Sequence, residues 1–270
     1  MTTADTLPAT PYRPTDPGAA GTAPRPGARF GRLVLVESRK LVDTRAGLWL
    51  LVVIALVTAA AIALVLFTAD PANLTFATLA LTSALPQAVL LPVLGILAAT
   101  SEWSQRTGLV TFTLEPRRLR VGAAKLVAAT GVALVAVALA LAVGALANLV
   151  GRTWLDGSGS WDITGAQLAG AVLLQVIGVA QGVAFGAAIG SSAAAIVAFL
   201  VLPTLWSVLS ALIPWLATPS RWLDLGLTTE PLLTGIWADG DGWRLLTSAA
   251  VWVGLPLLVG GLRLVRREVS

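Results

Sequence analysis

Residues 163–220 form an unbroken run of 58 positions without one Asp, Glu, Lys or Arg. Helices and sheets of a water-soluble domain turn a polar face outward at their own period. A run of this length without charge has no such face to offer. It is also too long for one membrane crossing, which takes about 20 apolar residues. The best break is Gly-Ser-Ser at 190–192, which predicts helices near 164–189 and 193–216. Three more charge-free runs, 46–69, 71–101 and 126–151, predict helices near 46–69, 76–100 and 126–150. A sixth is expected near 245–262. The chain therefore reads as all-α, a polytopic membrane protein with six transmembrane helices. Its composition agrees: 56% hydrophobic, mean hydropathy +0.84 and only 12% charged, against about 25% charged in soluble domains.

Charge also gives an orientation. Fifteen of the eighteen Lys and Arg residues fall in 1–45, 101–125 and the C-terminus. By the positive-inside rule these segments, and both termini, are cytoplasmic. Residues 1–29 are rich in Pro, Gly, Thr and Ala and read as a disordered cytoplasmic tail. Residues 30–45 predict an amphipathic helix lying along the interface, with Phe30, Leu33, Val34 and Leu41 on one side and Arg32, Arg39 and Asp43 on the other. Glu37 intrudes on the apolar side. It pairs locally with Lys40 or Arg45, or it meets a partner subunit. On the outer side, 217–244 carries Trp222, Trp237 and Trp243 and predicts short helices at or dipping into the interface.

The basic pI, about 10.6, needs no nucleic acid, because basic residues on a polytopic chain set its topology. Cys and His are absent, which excludes disulfides, thiol catalysis and the usual zinc or haem ligands. Arg outnumbers Lys 16 to 2, a bias of GC-rich, bacterial genomes, so the inner (plasma) membrane is the expected location. Ionisable residues are missing from the predicted spans except Lys125 at the start of the third, which argues against proton relays and ion pumps. No GxxxxGK[ST] loop is present, so ATP hydrolysis would have to come from a partner, and no enzymatic activity is expected of this chain.

The spans do hold amides, prolines and glycines. Gln87 lies between Pro86 and Pro92, which should kink or loosen the second helix. Gln167, Gln175 and Gln181 share about a third of the fourth helix's circumference. They either bond neighbouring helices or face a substrate. Gly178, Gly182, Gly186 and Gly190 form a ridge that admits a close helix, from the same chain or from a second copy.

Residues 101–125, SEWSQRTGLVTFTLEPRRLRVGAAK, hold five of the positive charges. The segment predicts a short helix over Thr107–Leu114, a turn at Pro116 and then the basic start of the third span. Glu102, Arg106-Thr107-Gly108, Pro116-Arg117-Arg118 and Lys125 together resemble the first cytoplasmic loop of ABC-2-type transporter permeases. The family's usual Gly before the Thr is Arg106 here, and Gly108 follows instead. Glu37 to Leu41, ESRKL, resembles the family's interfacial helix, and the likeness runs over roughly 30–268. The resemblance implies a dimer of six-span units (two copies or a paralogue) bound to cytoplasmic ATPases that supply ATP and Mg²⁺, with no cofactor bound by the permease. It implies that Glu102, Arg106 and Thr107 sit at the ATPase-coupling contact, with Glu37, Arg117, Arg118 and Lys125 orienting it. It also implies that the second and fifth spans line the route, which puts Gln87 and Pro203 near it; Gln175 of the fourth span joins them on the reading in which the amides face a substrate. For the basic residues the alternative is topology plus anionic membrane lipid. For the whole chain it is an accessory or structural membrane protein without transport of its own.

Overall fold

The computed structural model describes residues 29–104, 115 and 117–266. Regular structure among the described residues is entirely helical. The order is α1 (Phe30–Asp43), α2 (Arg45–Thr68), α3 (Phe76–Ser104), α4 (Arg118–Trp154), α5 (Gly165–Ile189), α6 (Ser192–Leu212), α7 (Ala217–Leu223), α8 (Leu225–Thr234), α9 (Asp241–Ala249) and α10 (Leu255–Arg266). A π-helical turn, Ala250–Gly254, joins α9 to α10 as one continuous helical rod. Six helices are long and apolar enough to cross a membrane: α2 to α6, and the rod from Asp241 to Arg266. Their outer faces carry large apolar side chains in the open, such as Leu56, Leu139, Leu146 and Leu212. Water would not tolerate such a belt; lipid would.

The centre of the bundle is the pair α3 and α5. Buried residues make up 56% of α3's apolar stretch and 44% of α5's, against 28% or less in the other four. Their packing follows from small residues. A Cβ on Gly182 would fall on the Pro92 carbonyl oxygen, and one on Gly186 would lie 2.9 Å from the Ala99 Cβ. Gly178 receives the Pro92 ring, 3.2 Å from where its Cβ would be. The glycine ridge therefore meets α3 of the same chain. The fourth glycine, Gly190, ends α5 in the left-handed region at φ 76°, which glycine adopts without steric cost.

Several helix limits differ from the sequence expectation for local reasons. The third long helix, α4, runs 37 residues rather than about 25, because Arg118–Lys125 is already helical. At 1.5 Å per residue it measures about 55 Å, so its ends project beyond a hydrocarbon core of about 30 Å. The second, α3, continues through Pro86 and Pro92 without a break. The fifth, α6, stops at Leu212, two residues before Pro214 opens a 3₁₀ turn. The rod ending in α10 starts at Asp241, earlier than 245.

At the tryptophan-rich end, α7 and α8 form a short helix–turn–helix. Asp224 caps α8 through the Gly226 and Leu227 amides at 2.9 and 3.2 Å, and accepts from the Ser207 hydroxyl of α6 at 2.6 Å. Thr228 meets Ser248 of α9 at 2.6 Å.

Candidate functional site

The opposite end of the bundle holds buried charge. On α1, Leu33, Val34, Glu37 and Leu41 share the inward face, being three or four residues apart. The α1–α2 joint fixes how that face is presented. Thr44 ends α1 and starts α2, its hydroxyl accepting from the Gly47 amide at 3.2 Å. Gly47 permits the sharp turn, since a Cβ there would strike the Leu41 carbonyl. As a result α1 lies against the first turns of α4.

Glu37 and Lys125 therefore face each other across two helices, and Glu102 arrives from the end of α3. Lys125 Nζ lies 2.8 Å from Glu37 Oε2 and 2.7 Å from Glu102 Oε2. Lys40 Nζ closes the figure, 2.6 Å from Glu37 Oε1 and 3.3 Å from Glu102 Oε1. Each carboxylate uses one oxygen per ammonium, giving a four-membered ring of alternating sign with no net charge. Lys125 also donates to the Ala98 carbonyl at 2.9 Å and to the Ser101 hydroxyl at 3.0 Å. Glu37, Glu102 and Lys125 are 6, 3 and 5% exposed; only the Lys40 side chain, 36% exposed, reaches the surface. Half-burial alone would lower the Lys40 pKa. The Glu37 carboxylate, by hydrogen bond and charge, and Glu102 outweigh that, and the ammonium ends above its ordinary 10.5.

Such a ring is a fastener. Buried ions persist only when their partners and hydrogen bonds are complete, so α1, α3 and α4 can separate only by exposing or stranding charge. It also offers no vacancy for a cation, as both carboxylates are saturated by ammonium groups. Among the described residues no group of three metal-ligating side chains forms.

Glu102, expected at the coupling contact, and Glu37 and Lys125, expected to orient it, thus face one another inside the protein. The local Glu37–Lys40 pair forms, and Glu37 makes a second, distant bond to Lys125. Arg117 is exposed at the start of α4. Arg118 donates to the Leu264 carbonyl of α10 at 3.0 Å, and Arg120 pairs with the buried Glu115 at 3.2 Å. Arg106, Thr107 and the expected short helix lie outside the described residues. The ring and these two contacts therefore hold both flanks of 105–114 to the bundle.

The three residues expected along a route do not meet. Gln87 lines one cavity, between α2, α3 and α4. Pro203 lines another, of about 240 Å³ between α3, α5, α6 and α8, together with Gln181. Gln175 lines neither; its amide donates to the Ala84 carbonyl of α3 at 3.1 Å. Gln167 caps its own helix with Thr164. Sequence reasoning missed Ser101, which only its closeness to Lys125 reveals. It also missed Thr58, the other polar residue of the first cavity.

No protein-family model matches the sequence, and no curated protein is detectably similar to it.

Proposed function

We propose that the chain is the membrane-spanning permease subunit of an ATP-driven exporter of the ABC-2 type, moving an amphipathic or apolar cargo. In this reading it sits in a bacterial plasma membrane as one of two such subunits, with its basic end in the cytoplasm. A separate ATPase binds ATP and Mg²⁺ and docks on 101–125 through Arg106, Thr107 and the exposed Arg117. The observation that carries the reading is the charge ring. The basic segment leaves the bundle at Glu102 and rejoins it before Lys125, and those two residues are bonded to each other and to α1. A push on the segment would then displace α1, α3 and α4 as one unit, which is what an external motor requires of a membrane partner. Glu37, Lys40, Glu102 and Lys125 act as positioning residues and do not touch the ATPase.

The test is affinity purification of the full chain from its native membrane in mild detergent, with mass spectrometry of what accompanies it. A stoichiometric partner carrying a GxxxxGK[ST] loop, lost when Arg106 and Arg117 are both changed to Glu, is the expected result. No such partner, even after crosslinking, would leave an accessory membrane protein as the better reading. Glu102→Gln separates docking from coupling: the partner should stay bound while transport falls.

A further inference from the structure

The cavity between α2 and α4 is floored by α3 and has a volume of about 360 Å³. It exists because its walls are thin. Ala55 and Ala59 on α2 face Ala136 and Ala140 on α4, where longer side chains would interdigitate and close the space. Its α4 wall runs from Val132 to Val143, about 16 Å of helix rise. Val135 and Leu139 on that wall are 60 and 63% exposed, so the groove opens sideways between helices, toward lipid.

No charged residue lines it, and two polar ones do, Thr58 and Gln87. Both are more than nine-tenths buried. The Thr58 hydroxyl has no hydrogen-bond partner. Elsewhere Thr68, Thr100, Thr153, Thr204 and Thr247 bond back to the carbonyl four residues earlier; Thr58 does not. Gln87 adds a second polar group to the same lining. Thr58 lies about 20 Å of helix rise beyond Arg45, and Gln87 about 16 Å beyond Phe76. Both are thus near the mid-level of their helices, where a bilayer supplies neither water nor headgroups to satisfy them.

We infer that this groove binds an uncharged, single-chain lipophile bearing one hydroxyl, carbonyl or amide group, admitted sideways from the bilayer. The long apolar walls take the chain, and Thr58 and Gln87 take the polar group. A phospholipid head does not fit, because its phosphate would lose its water with no cation to meet it. The inference goes beyond the permease reading and does not depend on an ATPase.

The experiment uses the purified full chain in nanodiscs with two photoreactive probes, a diazirine-bearing hexadecanol and the matching hexadecane, adducts being mapped by mass spectrometry. The alcohol should label 51–59 and 132–143 saturably, and unlabelled hexadecanol should compete. Thr58→Val with Gln87→Leu should weaken that competition about tenfold, the worth of roughly one buried hydrogen bond. Ala59→Leu with Ala136→Leu should abolish saturable labelling; should that pair misfold, the Thr58–Gln87 pair carries the test. Labelling spread evenly over the lipid-facing helices would overturn the inference. So would equal labelling by alcohol and hydrocarbon, or stronger competition by a phospholipid.

Discussion

Lys125 lies two turns inside a 37-residue apolar helix, and its ammonium is tolerable there only because four oxygen atoms surround it. Removing it would strand two carboxylates beside the single half-exposed Lys40. Breaking a buried pair from one side costs about 3–5 kcal/mol, so Lys125→Met should lower unfolding stability by that amount in detergent. Adding Glu37→Gln restores the charge balance and should return a substantial part of the loss. A double variant no better than the single one would mean that the carboxylates find other partners. The ring also has a pH signature. The folded-state pKa of Lys40 is raised, so its contribution is fully present below the unfolded value near 10.4. It is lost as pH climbs through the folded pKa. Stability due to Lys40 should therefore be flat through neutral pH and fall only above about 10.5, and Lys40→Met should remove that alkaline limb. Half of this site was legible. Glu37 stands out because it is four residues from both Leu33 and Leu41 on an apolar face. Its partner Lys125 is 88 residues away, and no period along the chain links them. Thr58 is less legible still, since one hydroxyl in an uncharged span breaks no pattern.

Among the helices, α5 decides the architecture through what it lacks. Its glycines let α3 approach until backbone meets backbone, and Gly170 does the same for α8, where a Cβ would fall on the Leu232 carbonyl. Gly182→Ala must therefore push the two central helices apart, an overpacking cost of about 1–3 kcal/mol. Gly131→Ala on α4 is the control. Nothing lies within 4 Å of its would-be Cβ, and removing a mid-helix glycine is worth about 0.5–1 kcal/mol in favour of the helix. Thermal unfolding of both variants side by side separates packing from propensity, and equal shifts would sink the argument. The ridge and its end at Gly190 were legible because four-residue spacing and a Gly-Ser-Ser break have direct helical meanings. Which helix the ridge meets was not, because any helix with an open surface satisfies the spacing. The two prolines of α3 do not end the helix. They remove backbone donors, yet α3 stays helical through both, with the Pro92 ring against Gly178 and the Pro92 backbone against Gly182.

Seen as one molecule, the bundle has two unlike ends. One carries the charge ring, Arg117, Arg118, Arg263 and Arg266; the other carries Trp154, Trp161, Trp215, Trp222, Trp237 and Trp243, all six exposed. Tryptophan favours either membrane boundary, whereas lysine and arginine favour the cytoplasmic side, so charge alone assigns the sides. The chain has no cysteine, and single cysteines can report the assignment. Ser158→Cys and Ala238→Cys are exposed on the tryptophan-rich end, and a membrane-impermeant maleimide should label both in intact cells. Gly31→Cys, with open space around its would-be Cβ, lies on α1 beside the ring and should label only after the membrane is permeabilised. The reverse pattern would place the ring and the basic segment outside, out of reach of any cytoplasmic ATPase, and the permease reading would fall with it. Neutralising Arg117 and Arg118 removes two of the fifteen biasing charges, too few to invert a majority of this size, so the labelling pattern should survive that change. If it inverts, those arginines set the topology, and a loss of partner binding in the same variant would no longer speak for docking.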